Sequence, residues 1–214
     1  MGVLERFSLR GRVALVTGGA GPQFGSSLSE GLAEADATVV TVSRSLERNE
    51  VFAAGLRERG YEAHAMQVDI SDSASVTRLH ESVMAKFGRV DVLVNSALGG
   101  GSPGRFGQQP LESWEQSARA GMVGLYAMCR AFIPEMVRAG GGSVINISSI
   151  FGVVSNDPTM YEGTTMVQPP SYPFVKAGVV SFTRYLAAYY GKAGVRANCT
   201  SRWIHSSWLC VGST

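Results

Sequence analysis

Six short apolar runs alternate along the chain with longer segments in which apolar residues recur at helical spacing. The runs, rich in valine and isoleucine, predict strands at residues 13–17, 38–42, 63–68, 90–95, 143–148 and 195–199. Continuous hydrophobicity is typical of strands that are covered on both faces of a parallel sheet. The segments between them predict helices near residues 25–35, 47–59, 73–87, 112–138 and 172–191. Strand and helix repeated in this order predict a single doubly wound α/β domain with right-handed crossovers.

Composition and charge narrow the classes of partner. The 214 residues are 45% hydrophobic and 17% charged, which suits one compact domain. The net charge of +2 has no block of either sign, so we expect a small-molecule substrate and neither a nucleic-acid nor a membrane surface. We found neither a secretion signal nor a run of transmembrane length, so we expect a cytoplasmic protein. The three cysteines and three histidines are scattered, which favours neither a disulfide framework nor a metal site.

A glycine-rich segment, TGGAGPQFG at residues 17–25, lies between the first predicted strand and the first predicted helix. Glycines in this position let a backbone approach a pyrophosphate, and a helix N-terminus supplies amide donors and the positive end of a dipole. The candidate phosphate-binding residues are Gly18, Gly21 and Gly25. Because the spacing differs from the G-x-G-x-x-G dinucleotide fingerprint, a tight turn without a ligand is the alternative interpretation.

The end of the second predicted strand bears on the choice between NAD and NADP. Sites that prefer NAD usually place a carboxylate there for the ribose hydroxyls, whereas this chain has Ser43 and Arg44. A guanidinium pairs with the 2′-phosphate of NADP through charge-assisted hydrogen bonds. The sequence therefore favours NADP, with NAD as the second choice. The alternative interpretation of Arg44 is a solvated loop cation.

Several further pieces follow in a fixed order along the chain: VDIS (68–71), VLVNSA (92–97), GSVINISSIFG (142–152), YPFVKAG (172–178) and VRANC (195–199). Together with the glycine segment, they make residues 12–199 resemble the short-chain dehydrogenase/reductase family. The resemblance implies an NAD(P)-dependent oxidoreductase that transfers a hydride between nicotinamide and an alcohol or carbonyl substrate. It also implies cofactor contacts from Asp69, Ile70, Asn95, Tyr172 and Lys176, and a catalytic group made of Ser149, Tyr172 and Lys176.

The physical chemistry of Tyr172 and Lys176 agrees with that role. Residues four apart share one face of a helix, so both side chains can point into the same cleft. An ammonium about 4 Å from a phenol, at an effective dielectric near 20, favours the phenolate by on the order of 4 kcal/mol, which suits proton transfer at neutral pH. Ser149 would then hydrogen-bond the reacting oxygen. A tyrosine and a lysine that share an exposed helix by chance are the alternative. Tyr161 is a competing phenol, but position 165 is threonine and not lysine.

Two departures from the family pattern bear on the chemistry. Residues 153–171 make a longer connection between Ser149 and Tyr172 than a minimal family member has. Its polar side chains either hydrogen-bond a hydroxyl-rich substrate, as in relatives that act on sugars, or belong to a structural flap. Gly121 stands where the family usually has a fourth catalytic residue, an asparagine. A glycine cannot hold the water that relays a proton to the lysine, although another water could partly substitute.

The segment TSRWIHSSWLCVGST (200–214) does not resemble the family's Pro-Gly turn, substrate-covering helices and final strand. The resemblance therefore implies that residues 1–214 form one Rossmann-type domain that lacks the last edge strand and carries an atypical tail. Two functions stay open at this point: an oxidoreductase acting on a sugar-like or polyol compound, or a catalytically impaired or truncated protein that binds a dinucleotide without turnover. Family members commonly pair through the two long helices, here at 112–138 and 172–191, so the resemblance also implies a homodimer.

Overall fold

The computed structural model describes residues 2–22, 24–97, 102 and 104–201. Its six strands are β1 Val13–Thr17, β2 Thr38–Ser43, β3 Ala63–Gln67, β4 Val92–Asn95, β5 Gly142–Ile147 and β6 Val195–Thr200. They pair in parallel in the order β3-β2-β1-β4-β5-β6. The predicted doubly wound sheet is confirmed. The strand order reverses between β1 and β4, and ligands of such sheets bind at this switch point, beyond the carboxyl ends of the strands.

The described residues form six α-helices: α1 Gly25–Glu34, α2 Leu46–Glu58, α3 Ser73–Phe87, α4 Leu111–Ala118, α5 Leu125–Arg138 and α6 Ser171–Tyr190. α4 packs on α6, and the others lie on the two faces of the sheet. Short 3₁₀ turns occupy Leu4–Phe7, Ile150–Gly152, Pro158–Tyr161 and Gly191–Ala193. Successive strand residues enter opposite cores: Leu15 packs in the core that contains Phe132 of α5, and Val16 in the core that contains Leu56 of α2. This double burial explains why the strands are apolar along their whole length.

The predicted helix over residues 112–138 is confirmed as an unbroken helical segment over 111–138, although one turn of it is widened. A π-helical turn, Arg119–Gly124, separates α4 from α5. Two glycines in this turn lie against neighbouring elements. A Cβ at Gly124 would be 2.7 Å from the Ile70 carbonyl oxygen, and a Cβ at Gly121 would overlap the Val175 side chain. The helical segment was predicted correctly, but apolar periodicity on either side of the widened turn does not reveal that turn.

The tail falls mostly outside the described residues. β6 forms one edge of the described sheet, and the expected loss of a further edge strand concerns residues 202–214, of which nothing is described. That expectation stays a prediction. Within the described ranges, no helix combines the length and the apolar character needed to cross a membrane.

Candidate active site

The glycine-rich segment forms a tight turn between β1 and α1. Gly18 has a φ of 66°, in the left-handed region, and its carbonyl oxygen accepts a hydrogen bond of 2.9 Å from the Gly21 N–H. A Cβ at Gly21 would be 2.9 Å from that oxygen, and a Cβ at Gly25 would overlap it. The three predicted glycines are thus required by one close approach of backbone to backbone, at the switch point of the sheet.

A cleft of about 440 Å³ opens at the carboxyl ends of β1, β2 and β3. Five predicted cofactor residues line it: Gly18, Ser43, Arg44, Asp69 and Ile70. Two further cations, Arg48 and Arg119, line the same cleft and were missed in the sequence. Arg48 lies four residues after Arg44, in the first turn of α2, and this closeness in the sequence was a usable signal. Arg119 begins the π-helical turn, so no regular helical pattern could have placed it.

The polar groups of the cleft have defined partners. The Ser43 hydroxyl donates to Asn49 Oδ1 at 3.0 Å, which ties the end of β2 to α2. Asp69 Oδ1 accepts hydrogen bonds from the Ser71 hydroxyl and backbone N–H at 2.6 and 2.9 Å. These bonds, led by the hydroxyl and joined by the charge of Arg44, hold the pKa of Asp69 below its usual value. The cleft therefore keeps one ionised carboxylate on the β3 side and guanidinium groups at the end of β2 and in α2.

A second cavity, of about 160 Å³, adjoins this cleft. Tyr172, Lys176 and Asn95 line it. Thr17, Ile70, Ala97 and Ala120 line both the cavity and the cleft, so the two are continuous. The structure thus brings the predicted tyrosine and lysine together, next to the space lined by the predicted nucleotide contacts.

Lys176 is buried and anchored. Its ammonium donates a 2.7 Å hydrogen bond to the Ile147 carbonyl oxygen at the end of β5, and it lies 5.7 Å from the centroid of the Tyr172 ring. Burial lowers the pKa of Lys176 to about 8. At neutral pH the side chain therefore remains mostly a cation, held against the phenol within the cavity.

Comparison with known families supplies the decisive observation: the family model described as short chain dehydrogenase matches residues 12–202. The chain belongs to the short-chain dehydrogenase family. It is therefore an oxidoreductase that binds a nicotinamide cofactor and acts on an alcohol or carbonyl group of a small molecule.

Individual proteins with known names are also similar to this chain. D-threitol dehydrogenase of Mycolicibacterium smegmatis is 34% identical over 210 residues, which cover 94% of this chain and 75% of that protein. Galactitol 2-dehydrogenase of Rhizobium johnstonii is 33% identical over 204 residues, covering 94% and 74%. The crystal structure of a gluconate 5-dehydrogenase from Burkholderia cenocepacia, in complex with NADP and tartrate, has a TM-score of 0.82 at 28% identity, covering 92% and 73%. The alternative of a truncated protein without turnover gains no support from these comparisons.

Ser149 of this short-chain dehydrogenase occupies a different environment from the tyrosine and lysine. It follows β5, is buried, and its hydroxyl oxygen accepts a 3.2 Å hydrogen bond from the Phe151 N–H. The neighbouring Ser148 hydroxyl donates to the Lys176 carbonyl oxygen at 2.9 Å, so this segment packs on the turn of α6 that carries the lysine. Among the described residues, no hydrogen bond joins Ser149 to Tyr172 or Lys176, and its catalytic role stays a prediction.

The long connection before α6 is exposed over much of its length. Tyr161 ends a 3₁₀ turn and does not line the cavity that contains Tyr172. Asp157 caps the same turn: its carboxylate accepts hydrogen bonds from the Thr159 N–H and hydroxyl, which lower the pKa of Asp157. The contacts seen for this carboxylate are local, and substrate binding by the segment stays a prediction.

A buried amide network fixes the strands beneath the cavity. Asn95 donates to Asn146 Oδ1 at 2.9 Å, and Asn146 donates to the Thr183 hydroxyl at 2.9 Å. This network joins β4, β5 and α6. Asn146 was not predicted as a site residue, although its polar side chain inside an apolar strand run was a usable signal.

Proposed function

We propose that this short-chain dehydrogenase oxidises a hydroxyl group of a polyol or sugar-like compound with NADP and, in reverse, reduces the corresponding carbonyl with NADPH. The proposal depends most on one observation: Tyr172 and Lys176 line a single cavity that is continuous with the arginine-lined cleft. A phenol held beside a buried cation is suited to exchange a proton with a substrate oxygen.

The turn at Gly18 supports binding of a dinucleotide. Its carbonyl oxygen fills the space that side chains at Gly21 and Gly25 would need, and Gly18 itself lines the cleft at the switch point. In this proposal, Gly18, Gly21 and Gly25 hold the pyrophosphate, and Asp69 and Ile70 border the adenine. Asn95, Tyr172 and Lys176 lie beside the nicotinamide half. The bound cofactor supplies the hydride acceptor or donor.

The protein's own groups divide the remaining work. Tyr172 accepts the hydroxyl proton of the alcohol during oxidation and returns it during reduction. Lys176 stabilises the ionised phenol by its charge, and its anchor on Ile147 O keeps the ammonium in place. Ser149, at the end of β5, hydrogen-bonds the reacting oxygen once substrate enters. This step requires the Ser149 O–H to turn toward the cavity.

The preference for NADP rests on charge. Arg44, Arg48 and Arg119 line the cleft, and within the described part of the chain none of them forms an ion pair with a carboxylate. Three guanidinium groups with free donors favour a 2′-phosphate, whereas the ribose hydroxyls of NAD would meet no carboxylate at the end of β2.

Fluorescence titration tests this preference. The wild-type protein should bind NADPH more tightly than NADH, and Arg44→Ala should weaken NADPH binding about tenfold with little effect on NADH. Arg59→Ala is the control, because Arg59 pairs with Glu30 outside the cleft. Tighter binding of NADH by the wild-type protein would reject the assignment.

The substrate class is supported by the relatives, two of which are named for threitol and galactitol. The test is a panel of polyols, aldoses and simple secondary alcohols, with NADP reduction followed by absorbance. We expect kcat/KM to be highest for a polyol or sugar-like compound. Equal or faster turnover of simple apolar alcohols would contradict the substrate class and leave the reaction type intact.

A homodimer is the proposed assembly, formed by the faces of α5 and α6 that carry exposed aromatic rings. Tyr126, Tyr185 and Tyr189 are 53%, 57% and 67% exposed. Tyr185 and Tyr189 stack with ring centroids 5.5 Å apart, and Phe182 stacks on Tyr185 at 6.4 Å. A contiguous exposed aromatic face of this kind is typical of a protein interface, and a second copy of the chain offers a matching face.

Analytical ultracentrifugation tests the assembly. The wild-type protein should sediment as a dimer and Tyr189→Glu as a monomer. Val51→Glu, at an equally exposed position on α2, should remain a dimer. A wild-type monomer, or a Tyr189→Glu variant that still dimerises, would contradict the proposed interface.

A further inference from the structure

The side chain of Asn49 is a polar group in the otherwise apolar contact between α2 and the sheet. Asn49 lies in the first turn of α2, is fully buried, and its backbone N–H donates to the Ser45 carbonyl oxygen at 3.3 Å. The other buried residues of this helix are Ala53 and Leu56, which pack in the apolar core beneath it. A buried amide is unfavourable unless its donors and acceptors are paired, so its partners indicate what this side chain does.

The Asn49 amide joins the ends of two strands that border the cofactor cleft. Its Nδ2 donates to the Met66 carbonyl oxygen of β3 at 2.9 Å, and its Oδ1 accepts from the Ser43 hydroxyl of β2 at 3.0 Å. Ser43 lines the cleft together with Arg44 and Arg48. Asn49 therefore acts on the cleft through the orientation of the Ser43 hydroxyl.

The orientation of the amide follows from its partner on β3. A carbonyl oxygen can only accept, so the NH₂ group of Asn49 must face Met66 and the amide oxygen must face Ser43. Ser43 must then donate its one hydroxyl proton to that oxygen. The Ser45 carbonyl oxygen, 3.3 Å from the same hydroxyl, is also an acceptor. Because the proton is engaged in this way, Ser43 Oγ offers lone pairs to a ligand in the cleft.

An acceptor at the end of β2 distinguishes the two nicotinamide cofactors. NAD carries a ribose 2′-hydroxyl, which can donate to Ser43 Oγ, whereas NADP carries a phosphate there whose oxygens are themselves acceptors. The phosphate is suited to the guanidinium groups of Arg44 and Arg48 instead. The end of β2 and the start of α2 thus contain one kind of group for each cofactor.

We propose that Asn49 is a positioning residue that allows this cleft to bind NAD as a second cofactor, by holding Ser43 as an acceptor for the ribose 2′-hydroxyl. This inference rests on the dinucleotide binding proposed above. The arginines keep NADP the preferred cofactor, and Asn49 reduces the difference in affinity between the two. Because Asn49 is buried behind Ser43, it influences the choice of cofactor without touching the cofactor.

Asn49→Leu tests the inference, because leucine has a similar volume and no hydrogen-bonding side chain. The Ser43 hydroxyl then loses its shorter bond and can turn its proton toward the cleft. The Kd for NADH should rise about fivefold, whereas the Kd for NADPH should fall or stay within about twofold of the wild-type value. Fluorescence titration measures both. Leu56→Val is the matched control, because it loosens the buried face of α2 and should leave the ratio of the two Kd values unchanged.

A double-mutant cycle with Ser43→Ala shows whether Asn49 acts through Ser43. Ser43→Ala alone should weaken NADH binding about as much as Asn49→Leu does, and the double variant should bind NADH about as well as either single variant. A second full loss in the double variant would overturn the inference, because Asn49 would then act by another route. Equal weakening of NADH and NADPH binding by Asn49→Leu would also overturn it, since the amide would then be purely structural.

A crystal structure of the wild-type protein with NADH tests the same point even if Asn49→Leu does not fold. It should retain the hydrogen bond from Ser43 to Asn49 Oδ1 and place a ribose hydroxyl within hydrogen-bonding distance of Ser43 Oγ. Bound NADH without that contact would overturn the inference and leave the proposed function intact. A wild-type protein that bound neither NADH nor NADPH in the titration would reject both, so the two failures are distinguishable.

Discussion

The buried ammonium of Lys176 should leave a measurable mark on the pH dependence of folding stability. Burial lowers its pKa from 10.5 to about 8, so between these pH values the unfolded chain binds a proton that the folded protein does not. The free energy of unfolding attributable to this group therefore rises as pH increases from about 8 to 10.5. Below pH 8 the buried Lys176 is charged in the folded protein, so the whole unfavourable free energy of burying that charge lowers the stability. A difference of 2.5 in pKa corresponds to about 3 kcal/mol.

Lys176→Met isolates this effect, because methionine fills a similar volume and does not titrate. Urea unfolding of both proteins, measured at several values between pH 7 and pH 10, gives the stability difference at each pH. We expect the wild type to gain about 1.4 kcal/mol per pH unit relative to the variant above pH 8. Loss of the bond to Ile147 O adds a constant offset, which does not affect the slope. A stability difference that stays flat with pH would refute a buried, charged Lys176.

Two further predictions follow from the packing of the site. Gly25→Ala should destabilise the protein by a few kcal/mol and weaken NADPH binding more than tenfold, because the added Cβ would overlap the Gly18 carbonyl oxygen. Thermal unfolding measures the stability, and fluorescence titration measures the affinity for NADPH. Gly31→Ala is the control, because a Cβ at that position of α1 would meet open space. Cys129 should resist alkylation in the folded protein at pH 8, because burial raises the pKa of its thiol to about 12. Mass spectrometry of protein treated with iodoacetamide measures the modification. Rapid modification of Cys129 under native conditions would contradict its buried position.

The strands were predictable because burial on both faces leaves a continuous apolar run in the sequence. The predicted and observed limits of β2 and β6 differ by one residue. β4 begins two residues later than predicted, although the Asp91 backbone still donates to Val13 O and accepts from the Ser143 N–H. The π-helical turn could not be predicted, since it depends on contacts of Gly121 and Gly124 with distant segments.

Parts of the candidate site were predictable because the spacing of residues along a helix or strand determines where their side chains lie. Four-residue spacing placed Tyr172 and Lys176 on one face of α6, and strand ends placed Arg44 and Asp69 in one cleft. Arg119 was missed because its position follows from the widened turn. The orientation of the Ser149 hydroxyl depends on the 3₁₀ turn that follows β5, which no sequence pattern specified.

The most direct test of the account is the activity of Tyr172→Phe. Wild-type protein should reduce NADP in the presence of the best substrate of the polyol and sugar panel. Tyr172→Phe should lose at least about 10²-fold in kcat with unchanged NADPH affinity, because only the phenolic oxygen is removed. Tyr161→Phe, the competing phenol outside the cavity, should retain wild-type turnover. Wild-type rates in Tyr172→Phe, or loss of activity in Tyr161→Phe alone, would contradict a reaction centred on the Tyr172–Lys176 pair.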